Sequence, residues 1–346
     1  MLPSMQEIST QGIGQVQRLY RHFAGVEAAP VSPLYAEWAA EVAEDRTILE
    51  LLLTLETSKR QPNLLFAAAR IHQVPTAPWE QVRPALISRW KAIRATMQQR
   101  RTQTNEAGRL AVLNLAFAKI AAETGRPLAL IEVGCSAGLC LYPDAWPIRY
   151  IASGETTYLT PSGVLSTTVP LNCELRGVPP PDRLPEVAWR AGVDLNPLDL
   201  TDEEDRRWLE ALVWPGMEYR LERLRAGARL VAQDPPLLSV GDLSEQLPVL
   251  LAQVPEDTIP VVFHSAVLAY LSPRDRERFV QQIRESGVRW VSNEGPTIVP
   301  EVAQQLHDED PARSGFILAL DGSPVARSGP HGQYLEALRT ASGPAQ

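Results

Sequence analysis

The chain has 346 residues, 45% apolar and 21% charged, which suits two or three globular domains around a large core and excludes intrinsic disorder. Its 33 Lys and Arg against 41 Asp and Glu leave a net charge of −8. No basic surplus is available to displace counterions from a phosphate backbone, so no nucleic-acid partner is expected. Cys135, Cys140 and Cys173 form no CxxC pair, which points to a reducing cytoplasm and away from disulfides or structural zinc. Met1 to Gly14 is polar and lacks a basic-then-apolar signal pattern. With no apolar run near the ~20 residues that span a bilayer, no membrane association and a cytoplasmic location are expected. The cations between Arg89 and Arg101 read as one solvated helix face.

Residues 1–125 read as an all-helical region. Val16, Leu19, Tyr20 and Phe23 recur at helical spacing before Pro30 and Pro33. Leu34 to Leu55 continues as a long apolar stripe through Trp38, Val42, Ile48, Leu49, Leu52 and Leu53. Helices are expected again at Asn63 to Ile71, Ile87 to Gln99 and Glu106 to Thr124, the last with Thr104 or Asn105 as its N-cap. No useful length of this region alternates as a strand does.

The pattern changes at Gly125-Arg126-Pro127. Leu128 to Val133 is a continuous apolar run ending in a glycine-rich turn, the pattern of a buried parallel strand. Tyr142 to Pro185 is rich in Pro, Gly and Thr and reads as an insertion, with short strands and the potential to act as a lid. Strands are expected at Ala188 to Asp194, Leu237 to Val240, Ile259 to His264 and Val288 to Ser292. Helices separate them at Asp202 to Arg225, Leu243 to Ala252, and Pro273 to Glu285 with its N1 proline. A further helix at Glu301 to Leu306 precedes Phe316 to Leu320 and Val325 to Arg327, which flank Asp321-Gly322-Ser323-Pro324 as a hairpin. The fold class is therefore α/β. Residues 126–346 are expected to form a Rossmann-like, mostly parallel sheet with a terminal antiparallel hairpin at its edge, and ligands at the carboxyl ends of its strands. The helical region would pack over that edge.

Glu132-Val133-Gly134-Cys135-Ser136-Ala137-Gly138 resembles the first motif of S-adenosylmethionine-dependent class I methyltransferases. Its glycines let the backbone turn sharply and approach a ligand before a helix N-terminus, and Glu132 would orient the cofactor's ammonium. Ser136 stands where many such enzymes have glycine. The same residues spell G-x-S-x-G, the nucleophile elbow of α/β-hydrolases. Ser136 would then be the nucleophile, His331 the base, and Asp242 or Asp321 the acid. That fold places several strands before its nucleophile, and here the upstream chain is helical, so the cofactor reading is preferred. A non-catalytic ligand-binding protein of the same fold is the third alternative. Asp194, after the second strand, is the expected ribose ligand, and Asp242, after the third, the expected adenine contact. Each has a plainer role as a surface or capping residue.

Along nearly its whole length the chain resembles the mainly bacterial domain-of-unknown-function family 2332. The resemblance is carried by Ser32-Pro33-Leu34-Tyr35, Pro62-Asn63-Leu64-Leu65, Thr102-Gln103-Thr104-Asn105-Glu106 with Arg109, and Glu132 to Leu139. It continues in Asp194-Leu195-Asn196-Pro197-Leu198-Asp199, Leu212-Val213-Trp214-Pro215, Asp234-Pro235-Pro236 and Pro330-His331-Gly332. What it implies is a methyltransferase-like fold and little about a reaction.

The remaining polar candidates follow from position. Asn105, Glu106 and Arg109 are expected in the wall of a substrate pocket. His264, at the end of the fourth strand, is the expected general base, with a pKa near working pH. Ser265, Asn293, Glu294 and His331 are expected to line the same edge and bind substrate. No histidine spacing supports a metal, so none is expected. Cys135, beside an expected helix N-terminus, would have a lowered thiol pKa there, or serve as a small buried filler. The sequence thus predicts S-adenosylmethionine bound at Glu132, Gly134, Ser136, Gly138, Asp194 and Asp242, and a small-molecule acceptor.

Overall fold

The computed structural model describes residues 5–103, 105–306 and 313–338. The chain divides into two compact units, residues 1–104 with 202–222 and residues 105–201 with 223–346.

The first unit contains α1 (Met5–His22), α2 (Pro33–Glu44), α3 (Arg46–Leu53), α4 (Pro62–Ile71), α5 (Trp79–Ser88), α6 (Trp90–Gln99) and, from later in the chain, α8 (Glu203–Leu212). Among its described residues there is no strand. The run from Leu34 to Leu55 is not one helix. It breaks at Asp45, whose side chain accepts the Ile48 amide at 3.2 Å and caps α3. Tyr20, Tyr35, Trp38 and Phe66 are fully buried, with Tyr35 and Phe66 rings 4.8 Å apart. Arg70 donates to the carbonyls of Ala211 and Val213 at the end of α8, and Trp214 lies 5.1 Å from Phe23. These aromatic and backbone contacts bring residues 202–222 into a unit far from them in sequence.

The second unit begins at Asn105, upstream of the change in pattern at Gly125. Its first helix, α7 (Leu110–Thr124), is buried nearly all round. The strands are β1 (Leu128–Val133), β2 (Ile148–Ala152), β3 (Glu155–Leu159), β4 (Leu171–Arg176), β5 (Val187–Asp194), β6 (Leu237–Val240), β7 (Ile259–Ser265), β8 (Arg289–Glu294), β9 (Phe316–Leu320), β10 (Ser323–Ser328) and β11 (Tyr334–Ala337). They form one 11-stranded sheet in the order β3-β2-β4-β11-β10-β9-β8-β7-β1-β5-β6. The pairs from β6 to β8 are all parallel. Strand addition runs from β1 to β5 and β6 on one side and to β7 and β8 on the other, so the chain reverses direction at β1. Crevices at the carboxyl ends of strands form at such a reversal.

One expectation changes here. The hairpin of β9 and β10 is antiparallel, but it does not end the sheet. β11 continues it and pairs in parallel with β4. The segment read as an insertion with short strands and the potential to act as a lid supplies β2, β3 and β4, which join the sheet with β3 at its edge.

Helices cover both faces of the central strands, and side-chain alternation shows how. Ile131, Val133 and Val262 pack with Leu247 and Leu250 of α10 (Leu243–Leu251) and Phe279 and Ile283 of α11 (Pro273–Ser286). Phe263, one residue along β7, points the other way and meets Phe117 of α7 with ring centroids 5.1 Å apart. Between β5 and β6 run α8 and α9 (Glu218–Gln233), and the short α12 (Pro300–Ala303) precedes β9.

No regular α-helix follows the glycine loop. Leu139–Leu141 forms a single 3-10 turn, fixed by Arg190 of β5. That buried guanidinium donates to the Leu141 carbonyl at 2.7 Å, to Asp144 at 2.8 Å and to Asp234 at 2.9 Å, and sits 4.7 Å from the Tyr142 ring centroid. Burial pushes the Asp144 carboxyl upward against the pull of Arg190. Removing the cation leaves Asp144 buried without its partner. Arg190→Ala is expected to lose roughly 3 kcal/mol of stability in urea unfolding; a change under about 0.5 kcal/mol would show that the network is ornamental.

Candidate functional site

The predicted site residues fall at the carboxyl ends of β1, β5, β7 and β8 and on the segments packed there. β1 ends at Glu132 and Val133, and the next residues alternate into the left-handed region: Gly134 at φ +70°, Ser136 at +51° and Gly138 at +72°. Gly134 is required twice over. Its φ is unfavourable for any L side chain, and an added Cβ would lie 2.4 Å from Val267. Close packing against protein therefore explains this glycine. Ser136 holds a left-handed conformation with a side chain present, a strained state that its surroundings must impose.

Two side chains impose it. Asp194, at the end of β5, accepts the Ser136 amide at 2.9 Å on one oxygen and the Asn196 amide at 2.8 Å on the other. Asn105 spans the loop from outside, donating to the Cys135 carbonyl at 2.7 Å and accepting from the Leu139 amide at 3.0 Å. Both were expected to contact ligand; both hold the loop. Asp242 is exposed and caps α10 through the Ser244 amide at 2.8 Å, the plainer of its two readings. Cys135 does not gain a helix N-terminus. Burial, with Glu132 and Asp194 nearby, pushes its thiol pKa up.

Around Glu132 the polar groups are buried and ordered. Arg109 donates to the carbonyls of Ser265 at 2.8 Å and Pro330 at 3.0 Å, joining the start of α7 to the end of β7 and to the loop carrying His331. There Gly108 and Gly332 meet so closely that a Cβ on Gly332 would fall 1.9 Å from the Gly108 carbonyl oxygen. The His331 amide donates to Gln333 at 2.9 Å. Glu106, 3% exposed, accepts the Gly108 amide at 2.9 Å and lies 3.5 Å from Arg223. It, and not Asn105, caps the turn that leads into α7; Thr104 lies outside the described residues. Asn293 donates to Ser265 Oγ at 2.9 Å and accepts from Ser328 Oγ at 2.6 Å.

His264 and Glu294 belong to the opposite face. Alternation along β7 turns His264 away from Ser265 and into the layer beneath α11, where it meets Phe279 at 5.6 Å. It is fully buried, and both ring nitrogens are engaged. The Trp290 indole, which can only donate, reaches Nε2 at 3.0 Å, so the proton sits on Nδ1 and is donated to Glu294 at 2.7 Å. The same Glu294 oxygen accepts the amides of Val267 at 2.9 Å and Leu268 at 3.1 Å. His264 was expected as the general base; in this arrangement neither ring nitrogen is free to take a proton from a substrate. Ala266, at φ +60°, forms the turn out of β7.

Three buried polar atoms at these strand ends have no hydrogen-bond partner among the described residues: Glu132 Oε2, Ser136 Oγ and Glu294 Oε2. Buried polar atoms are rarely left so. Glu132 is the most telling. It is 6% exposed, its pKa is raised well above the ordinary value by burial, Arg109 opposes that rise, and Asp194 adds to it. Among the described residues no group of three or more His, Cys, Asp or Glu is arranged to hold a metal. A triad from Ser136 is not assembled either. Among the described residues its Oγ reaches no imidazole, and Asp321 binds the Trp290 amide and Arg289 at the far end of β8, about 15 Å or more away along the strands.

The clasp and the buried carboxylate each lead to a test. Asp194→Ala and Asn105→Ala should speed hydrogen exchange at the amides of Ser136 and Leu139 respectively by about tenfold or more, with core strands unaffected. Equal protection in the variants would remove the clasp. Because the folded-state pKa of Glu132 is raised, the native state binds the proton more tightly than the unfolded chain. Its contribution to stability is complete at low pH and declines as pH rises past about 4.5. Glu132→Gln, which cannot ionise, should therefore gain in Tm relative to the parent between pH 4 and pH 8; a difference independent of pH would contradict the assignment.

Among the described residues no helix is long and apolar enough to cross a membrane. No curated protein matches the sequence. A sequence profile for a family described as an uncharacterized protein conserved in bacteria, DUF2332, matches residues 17–337, and the chain belongs to that family.

Proposed function

We propose that the second unit is a Rossmann-like domain that binds S-adenosylmethionine at the carboxyl ends of β1 and β5, and that the protein passes its methyl group to a small-molecule acceptor. The observation that carries this reading is Glu132 Oε2, buried and unpartnered at the end of the central strand, where the sheet reverses direction. A carboxylate so placed has lost its water and gained no donor, and a cationic ligand group would satisfy it. The ammonium of the cofactor's methionine moiety supplies such a group, and its sulfonium supplies the methyl.

The chain's own residues then have distinct tasks. Glu132 receives the ammonium, and Ser136, four residues along the same loop, offers an unpartnered hydroxyl. Asp194 and Asn105 hold the loop rigid, so the ligand meets a backbone already in place. Methyl transfer is a displacement that gains most from alignment and exclusion of water. With His264 enclosed in the core, an acceptor that is nucleophilic before deprotonation, such as a neutral amine or a thiolate, fits better than one that needs a base.

Calorimetric titration with S-adenosylmethionine and S-adenosylhomocysteine tests the reading. Saturable binding is expected, weakened at least about tenfold in Glu132→Gln through loss of a charge-assisted contact. A folded protein that binds neither compound would overturn it. Binding without turnover on any neutral amine or thiol would favour the non-catalytic binding protein.

A further inference from the structure

The two ends of the 11-stranded sheet differ in how their open edges are protected. β6, at one end, is only four residues long and follows Pro235-Pro236 directly. Prolines offer no amide to a visiting strand, so that edge is blunted. β3, at the other end, is five residues long, has no proline within or directly before it, and carries one charge, Glu155. It pairs with β2 on one side only, and Glu155, Thr156, Thr157 and Tyr158 are all exposed, Tyr158 by 66%.

The β2–β3 hairpin fixes which backbone groups of β3 point outward. Ser153 at φ +45° and Gly154 at φ +90° make a two-residue turn with both central residues left-handed. In such a hairpin the flanking pair, Ala152 and Glu155, exchanges both hydrogen bonds, and bonded pairs then recur at every second position. Tyr150–Thr157 and Ile148–Leu159 are therefore bonded pairs. Thr156 and Tyr158 turn their amides and carbonyls away from β2, towards open space.

We infer that β3 is a self-association edge, and that the partner it fits is a second copy of this chain. Two copies of β3 placed antiparallel about a two-fold axis through Thr157 set Thr156 of each against Tyr158 of the other. Those are the residues with outward backbone groups, so both pairs form complete hydrogen-bonded pairs. Shifting the axis to Thr156 or Tyr158 leaves only one such pair within the strand. The central register also sets an aromatic side chain against a β-branched one twice, a favourable cross-strand pairing. Glu155, the one charge on the strand, faces Leu159 instead of its own copy. Thr157 meets Thr157 on the axis, and that identity supplies the test.

Sedimentation velocity on the full chain over a concentration series should show a monomer–dimer equilibrium. Thr157→Lys and Thr157→Glu each bring like charges together on the axis, while in the monomer they alter only an exposed side chain. Each alone should weaken the dimer roughly tenfold or more, with an unchanged circular dichroism spectrum. An equimolar mixture of the two should restore association, because opposite charges then meet. A parent chain that stays monomeric up to about 100 µM would overturn the inference. So would a dimer indifferent to either substitution, or a mixture that fails to recover.

Discussion

The geometry of the strand-end loop depends on the carboxylate of Asp194. It accepts two backbone amides, one from Ser136 and one from Asn196, and thereby holds a non-glycine residue in the left-handed region between Gly134 and Gly138. A loop with left-handed residues at alternate positions turns successive amides inward, an arrangement that often receives an external anion. Here the protein supplies that anion itself. The loop is consequently preformed and locally neutralised. What it leaves for a ligand is a buried carboxylate, Glu132, and a hydroxyl, Ser136, in place of a phosphate cradle. That pair of groups is what the proposed recognition of positive charge rests on.

Period-two alternation imposes the second constraint. Glu132, Ser265 and Asn293 lie on the α7 face of the sheet, and His264, Trp290 and Glu294 on the α11 face. A single residue of offset therefore separates groups that are neighbours in sequence into a ligand-side cluster and a core cluster. The core cluster is well satisfied on one side: one oxygen of Glu294 collects the His264 ring and two amides. That arrangement fixes the exit of β7 through Val267, the residue against which Gly134 packs. His264 thus shapes the edge through packing, with both ring nitrogens engaged.

Much of this architecture was legible in the sequence. The continuous apolar run of β1, the glycine turn, the alternation of strand and helix, and the hairpin around Asp321-Gly322 all carry local signals, and the structure has each of them. What was not legible shares one physical origin, non-local pairing. β11 is four residues with no distinctive pattern and exists because β10 and β4 flank it. β2, β3 and β4 lie in a Pro- and Gly-rich stretch whose strand character becomes stable only in the sheet. Asp45 divides an apolar run that periodicity alone reads as continuous. At the site, the residues gathered at the strand ends were found from their positions, whereas their roles depended on side-chain direction and on partners far away in sequence. Asn105 reaches the loop across the fold, and Asp242 stops at its own helix.

The arrangement also bears on what kind of catalysis such an edge supports. A site whose imidazole is enclosed and whose loop is held by internal carboxylate and amide groups has little capacity to move protons and considerable capacity to hold a ligand still. For a displacement reaction those are compatible properties, since effective alignment of nucleophile and leaving group accounts for most of the acceleration needed. Rigidity comes from bonds that were complete before any ligand arrives, so binding orders few additional groups. The unpartnered oxygen of Glu132 then carries a double role. It destabilises the empty protein as the carboxyl ionises, and it favours a cationic ligand that restores the missing donor. In the proposed reading, stability given up at that one carboxylate would be the source of selectivity for a cationic ligand.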